Sequence, residues 1–177
     1  MTHGNKKAAM IEPMLYISKT FNDARGWLKK LEPEEALEAL DAPHLFDDFY
    51  ISQSNCNVFR GLHYQKEPYE QWKRMRVISG SIRAFALNTN PKSKRFKRLY
   101  TFHLNGELNE TLLCPPMHAS GFLSLENEST VLMLASGKYN LKAEHVISPK
   151  SVKGITLPED CIISEKDLNG EWLERQN

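Results

Sequence analysis

Arg60-Gly61-Leu62-His63 sets a guanidinium, a glycine and an imidazole within four positions, inside the run Val58 to Gln65 that reads as a buried strand. A guanidinium holds anions by forked hydrogen bonds, and an imidazole is a base near neutrality. The pair would be an anion holder beside a base. Taken alone, the four residues are equally well explained by a surface arginine and a hydrogen-bonded core histidine. There is also a geometric condition. In a regular strand, residues three apart face opposite sides. Arg60 and His63 share a site only if Gly61 bends the strand or the arginine reaches around its edge.

The chain that must position them has 177 residues, which suits one domain, residues 1–177, with a sizeable core. With 23 basic and 22 acidic residues the formal charge is +1. No global field selects nucleic acid or an anionic membrane, so any anion has to be held by a local cluster. Cys56, Cys114 and Cys161 are widely spaced, without the paired spacing of a zinc site, and read as reduced thiols of a cytoplasmic protein. The opening Met1 to Met10 lacks the apolar run of a signal peptide, and no later stretch approaches a membrane-spanning length.

Ile11 to Ser18 reads as an edge strand. Phe21 to Leu28 reads as a loop turning at Asp23 and Gly26, with Arg25 reaching outward. Pro33 to Leu40 has proline at a first helical position, acids in the first turn and apolar residues at helical spacing, which predicts a helix. From about residue 45 the pattern changes to short apolar runs. Arg74 to Asn88 predicts two strands joined at Ser79-Gly80, and Leu99–Leu104, Thr111–Cys114, Ser120–Leu125 and Thr130–Ala135 predict more. Ile147 to Leu157 adds another strand, and Ser164 to Arg175 a short helix. So many strands at this spacing predict a mainly β fold, a sandwich or barrel.

Several distinctive pieces stand in order along the chain. They are Phe21 with Asp23-Ala24-Arg25-Gly26, Arg60 to Gln65, Gln71 to Val77 with Ser79-Gly80, Pro115 to Phe122, Tyr139, and Ser164-Glu165-Lys166-Asp167. Together they resemble the dTDP-4-dehydrorhamnose 3,5-epimerase family, cupin-fold enzymes of nucleotide-sugar metabolism. The resemblance implies a cupin jelly-roll β-sandwich with a few short helices, a homodimer, and epimerisation at C3 and/or C5 of a nucleotide-activated 4-keto-deoxy sugar. The context would be surface-polysaccharide (O-antigen or capsule) or deoxysugar biosynthesis. C–H bonds beside the ketone are slightly acidic, so inversion needs a base, a group that holds the enolate and an acid on the other face. It needs no cofactor and no metal. By resemblance His63 is the base, Asp167 the carboxylate that fixes its tautomer, and Lys73 the cation near the sugar oxyanion. Arg60 grips the diphosphate, Arg25 assists from its loop, and Phe21 and Tyr139 bind substrate.

The departures from the pattern matter as much. Met133 stands where the family has its proton-donating tyrosine, and a thioether is no acid. Tyr139 lies about 20 Å further on along an extended strand, so it replaces that tyrosine only if Ser136-Gly137 turns the chain back. A water, Lys73 or His118 are the other donors. Ser120 stands at the position of the second active-site histidine. His118, two residues earlier, either partly compensates or caps a loop. In the nucleobase pocket Lys30 replaces an acid, and Asp48 and Tyr50 replace Gln and Asn. Base edges are read by donor and acceptor pattern, so the swaps imply a different readout, with CDP, GDP or UDP as candidates instead of dTDP. The cupin metal set is reduced to His63, so no metal is expected. The expectation is an epimerase of a nucleotide sugar, with no nucleic-acid or membrane partner. The alternatives are a 3,4-ketoisomerase using the same base and a nucleotide-sugar-binding protein that has lost catalysis.

Overall fold

Runs of alternating or concentrated apolar residues become strands in the computed structural model, which describes residues 12–31 and 34–173. In chain order the strands are β1 (Met14–Ile17), β2 (Thr20–Asp23), β3 (Gly26–Lys29), β4 (Asp48–Ser54), β5 (Val58–Gln65), β6 (Lys73–Ser79), β7 (Ser81–Asn88), β8 (Leu99–Asn105), β9 (Glu110–Cys114), β10 (His118–Ser124), β11 (Ser129–Ala135), β12 (Glu144–Val146) and β13 (Ile162–Ile163), with helices α1 (Glu34–Ala39) and α2 (Glu165–Leu168). One sheet has the order β1-β9-β6-β11-β4, and the other β12-β5-β10-β7-β8, with β13 added parallel to β5. This is the mainly β, jelly-roll-like sandwich with short helices that the sequence leads one to expect.

Apolar side chains fill three layers. Met75, Val77, Ile82, Leu104, Leu112, Phe122 and Val131 pack between the sheets. The outer face of the six-stranded sheet, with Phe59, Leu62, Tyr64 and Phe85, is covered by Ile147, Val152 and Leu173. Leu37 of α1, with Ala42 and Phe46, covers Leu113 on the outer face of the other sheet. The burial is non-directional and scales with apolar area, so it closes the sandwich but leaves the inward polar residues at one end of the intersheet space to line a cavity.

Three expectations need correction. Phe21 to Leu28 is a paired hairpin, β2 with β3, whose turn is fixed by Asp23 Oδ1 accepting the Arg25 N–H at 2.8 Å. Ile147 to Leu157 is not a strand. Pro149 has no N–H for a ladder, and Pro149–Ser151 forms a single 3₁₀ turn, so the strand ends at Val146; Ile147 still exchanges backbone hydrogen bonds with Leu62 and bridges Glu171, and the chain beyond it leaves the sheet. The expected helix in the tail is confined to α2. Met1–Met10, Ile11, Pro33 and Arg175 lie outside the described residues.

The register between β5 and β10 supplies the bend that a shared site requires. Ser120 pairs with His63 and Phe122 with Arg60, so β5 advances three residues while β10 advances two. This is a β-bulge at Gly61-Leu62, and it turns Arg60 and His63 toward one cavity. Glycine is required on both strands. Gly61 has φ of 118°, and a Cβ there would stand 2.6 Å from Gly121 Cα and 2.8 Å from the Ser120 oxygen. A Cβ on Gly121 would stand 2.5 Å from the Arg60 oxygen. Gly61→Ala is therefore expected to destabilise the fold by about 2 to 4 kcal/mol, read as a lower urea midpoint with an unchanged slope.

Candidate active site

The cavity has a volume of about 860 Å³ and lies between the two sheets, with His63 on one wall and Lys73 and Met133 on the other. Its best-defined feature is a dyad. His63 Nε2 donates to Asp167 Oδ1 at 2.7 Å, and Asp167 Oδ2 accepts the Gly61 N–H at 3.0 Å. Asp167 is aimed by α2, which Ser164 caps by accepting the Asp167 N–H at 3.1 Å. Burial pushes the Asp167 carboxyl up, but the hydrogen bonds from His63 and Gly61 outweigh it and hold the carboxyl below its ordinary value. An ionised Asp167 keeps the imidazole proton on Nε2 and leaves the lone pair on Nδ1. The His63 side chain is a third exposed, its opening being to the cavity. Asp167→Asn, whose amide can donate to Nε2 and so move the proton to Nδ1, is expected to cost roughly a hundred- to ten-thousandfold in turnover. A kcat/KM comparison on folded variant checks it.

Lys73 projects from β6 across the intersheet space and donates to the His63 carbonyl oxygen at 3.0 Å. Burial pushes its pKa down to about 8, against the pull of Cys114 and Glu144. The Cys114 thiol, paired across the ladder with Lys73, is pushed up to about 12 by burial and stays protonated.

Ser136-Gly137 does turn the chain back. Gly137 has φ of 72° and its carbonyl accepts from Gln71 Nε2 at 2.8 Å. Gln65 Oε1 accepts the Asn140 N–H at 2.6 Å. The returning segment brings Tyr139 to the cavity mouth, where its hydroxyl donates to Glu144 Oε2 at 2.7 Å and Lys166 Nζ donates to the same oxygen at 2.6 Å. Burial raises the Glu144 carboxyl, but the bonds from Lys166 and Tyr139 leave it below its ordinary value. Sequence reasoning gave Glu144 and Lys166 no role. Lys166 had a signal, as the neighbour of Asp167; Glu144 reaches the cavity only because β12 pairs with β5, which nothing local announces.

Arg60 lines the rim, with Nε donating to Ser54 Oγ at 3.0 Å and Nη2 to the Gln53 carbonyl at 3.4 Å. Asp48 and Tyr50 line the cavity from β4, and Ser120 from β10. The Ser120 hydroxyl is buried with no hydrogen-bond partner among the described residues. Four expected residues are not brought there. Phe21, Arg25 and Lys30 belong to the β2-β3 hairpin region, which Asn109 Nδ2 ties to the carbonyls of Lys19 at 2.8 Å and Lys30 at 3.2 Å, away from the cavity. Arg25 pairs instead with Asp23. His118 is buried off the cavity, and its Nδ1 donates to the Pro116 carbonyl at 3.1 Å. Burial lowers its pKa and keeps the ring neutral. Among the described residues no cluster of three His, Cys, Asp or Glu side chains is placed to hold a metal.

Known proteins share this fold. A family model described as dTDP-4-dehydrorhamnose 3,5-epimerase matches residues 7–175. The chain belongs to the dTDP-4-dehydrorhamnose 3,5-epimerase family. A family enzyme of that name from Shigella flexneri is 29% identical over 168 residues, covering 93% of each chain. The crystal structure of dTDP-4-dehydrorhamnose 3,5-epimerase from Sulfolobus tokodaii superposes with a TM-score of 0.84 at 33% identity, over 92% of this chain and 91% of that one. A Legionella pneumophila dTDP-6-deoxy-D-glucose-3,5-epimerase, solved with dTDP-4-keto-L-rhamnose, gives 0.84 at 25% identity over 96% and 92%. Met133 and Ser120 both line the cavity, Met133 packed against the apolar cluster between the sheets. Among the described residues no helix is long and apolar enough to cross a membrane.

Proposed function

We propose that this chain epimerises a nucleotide-activated 4-keto-deoxy sugar by proton abstraction beside its ketone, as a single cupin domain acting in the cytoplasm on deoxysugar or surface-polysaccharide precursors. The observation that carries the reading is the joining of His63, Asp167 and Lys73 in one cavity, a base with a fixed tautomer next to a desolvated cation. His63 Nδ1 takes the C–H proton, the bonding pair moves into the enolate, and the Lys73 ammonium holds the oxygen that becomes negative. Asp167 stabilises the imidazolium. Arg60 binds the diphosphate at the rim by its guanidinium fork, with Tyr139 and Ser120 on the sugar and Asp48 toward the nucleotide.

Met133 favours inversion at one carbon over inversion at two. The chain acts as a homodimer. Phe21 and Trp27 are more than half exposed on the β2-β3 hairpin, so the substrate roles of Phe21, Arg25 and Lys30 belong to the cavity of a second copy. Calorimetric titration with dTDP, UDP, GDP and CDP identifies the base, and NMR of products from the matching 4-keto-6-deoxy sugars tests the reaction. Inversion at C3 or C5 with the ketone still at C4 is the expected result. A ketone moved to C3 would make the protein a ketoisomerase, and a sugar that binds without turning over would make it a binding protein.

A further inference from the structure

The acid that completes an inversion must stand across the sugar from His63, on the opposite sheet. His63 is on β5 of the six-stranded sheet, and the facing wall is built by β6, β11 and β4. On that wall Met133 of β11 is the Cα partner of Tyr50 of β4. Directly opposed residues of an antiparallel pair project to the same face with Cβ atoms about 5 Å apart. Both side chains line the cavity. The geometry points to Tyr50 as the proton donor of this enzyme, its phenol standing in from the neighbouring strand for the tyrosine that Met133 replaces.

The other candidates are otherwise engaged. The Tyr139 hydroxyl donates to Glu144, which Lys166 also contacts. Lys73 donates to the His63 carbonyl and is the group that holds the enolate oxygen. His118 is off the cavity. The Tyr50 hydroxyl makes no hydrogen bond to the described residues. Tyr50 is 43% exposed, opening on the cavity, and partial desolvation there and then the carboxylates of Asp48 and Glu144 push its pKa up to about 12, so it remains protonated at neutral pH. In the step itself the enolate pair forms a new C–H bond with the phenolic proton from the face opposite His63. The carbonyl re-forms, the phenolate takes a proton from water, and the imidazolium returns its proton to water.

This assignment rests on the epimerase reading, and the test separates the two. The protein, Tyr50→Phe and Tyr50→Phe/Met133→Tyr are compared by proton NMR in deuterated water with the 4-keto-6-deoxy sugar of the nucleotide that binds. With Tyr50→Phe, His63 can still remove a proton and return a deuteron to the same face. Deuterium entry is expected to stay within about tenfold while inverted product falls at least about a hundredfold, and the added tyrosine at 133 is expected to recover inversion. Inversion by Tyr50→Phe within a few-fold of the parent would overturn the assignment and leave the epimerase reading standing. So would loss of exchange and inversion together without recovery, which is the mark of a substrate-positioning residue. A parent protein that inverts no sugar would overturn the epimerase reading and the donor with it.

Discussion

His63→Ala is expected to lower turnover roughly a thousandfold, within the hundred- to ten-thousandfold range of a positioned base, and to leave nucleotide binding nearly unchanged. The two effects separate because the proposed base and the proposed diphosphate holder are different groups on one strand. His63 contacts Asp167, and Arg60 is anchored independently by Ser54 and Gln53. Alanine also leaves the buried Asp167 without its ring partner, a loss of about 1 to 3 kcal/mol in stability. His63→Gln distinguishes the two consequences, since its amide nitrogen has the reach of Nε2 and can still donate to Asp167 Oδ1 but cannot act as a base. Both variants are expected to be inactive in the NMR assay, with normal calorimetric binding of the nucleotide, and the glutamine to be the more stable in urea.

Lys73→Met is expected to move activity and stability in opposite directions. Loss of the cation proposed to hold the enolate oxygen is expected to cost roughly a hundred- to a thousandfold in kcat. Stability rises, because the folded protein holds this ammonium at a pKa of about 8 against an ordinary 10.5. The unfolded chain therefore binds more protons between those values, and the stability of the parent increases as pH rises from about 8 to about 10.5. At pH 7 the burdened charge corresponds to about 3 kcal/mol, most of which the isosteric apolar side chain would recover. Urea denaturation at pH 7 and pH 10 checks this: the parent gains stability between the two, and the methionine variant lacks that gain. The parent's turnover is expected to fall as pH passes about 8, because a neutral amine no longer holds the enolate.

The strands from β6 to β11 were legible because apolar alternation and turns such as Ser79-Gly80 are local signals. β4 was not, since Asp48, Ser52, Gln53 and Ser54 break up its apolar residues, and only its pairing with β11 makes it a strand. The length given to Ile147–Leu157 ignored Pro149, whose missing N–H ends the ladder. In the site, the meeting of His63 and Asp167 was carried by family likeness, while the bulge that lets Arg60 share their cavity depends on Gly61 meeting Gly121, sixty residues away. Glu144 was invisible for the same reason, being placed by long-range pairing. Tyr50 was assigned to the nucleotide because its alignment says nothing about its cross-strand neighbour, Met133.

The most direct measurement is deuterium incorporation by the unaltered protein, followed by proton NMR in deuterated water with the 4-keto-6-deoxy sugar of the nucleotide that binds. The expected result is deuterium at C3 or C5 together with inversion at the same carbon, and loss of both in His63→Gln. A saturating sugar that is shown to bind, yet keeps every proton at C3 and C5, would contradict a base at His63.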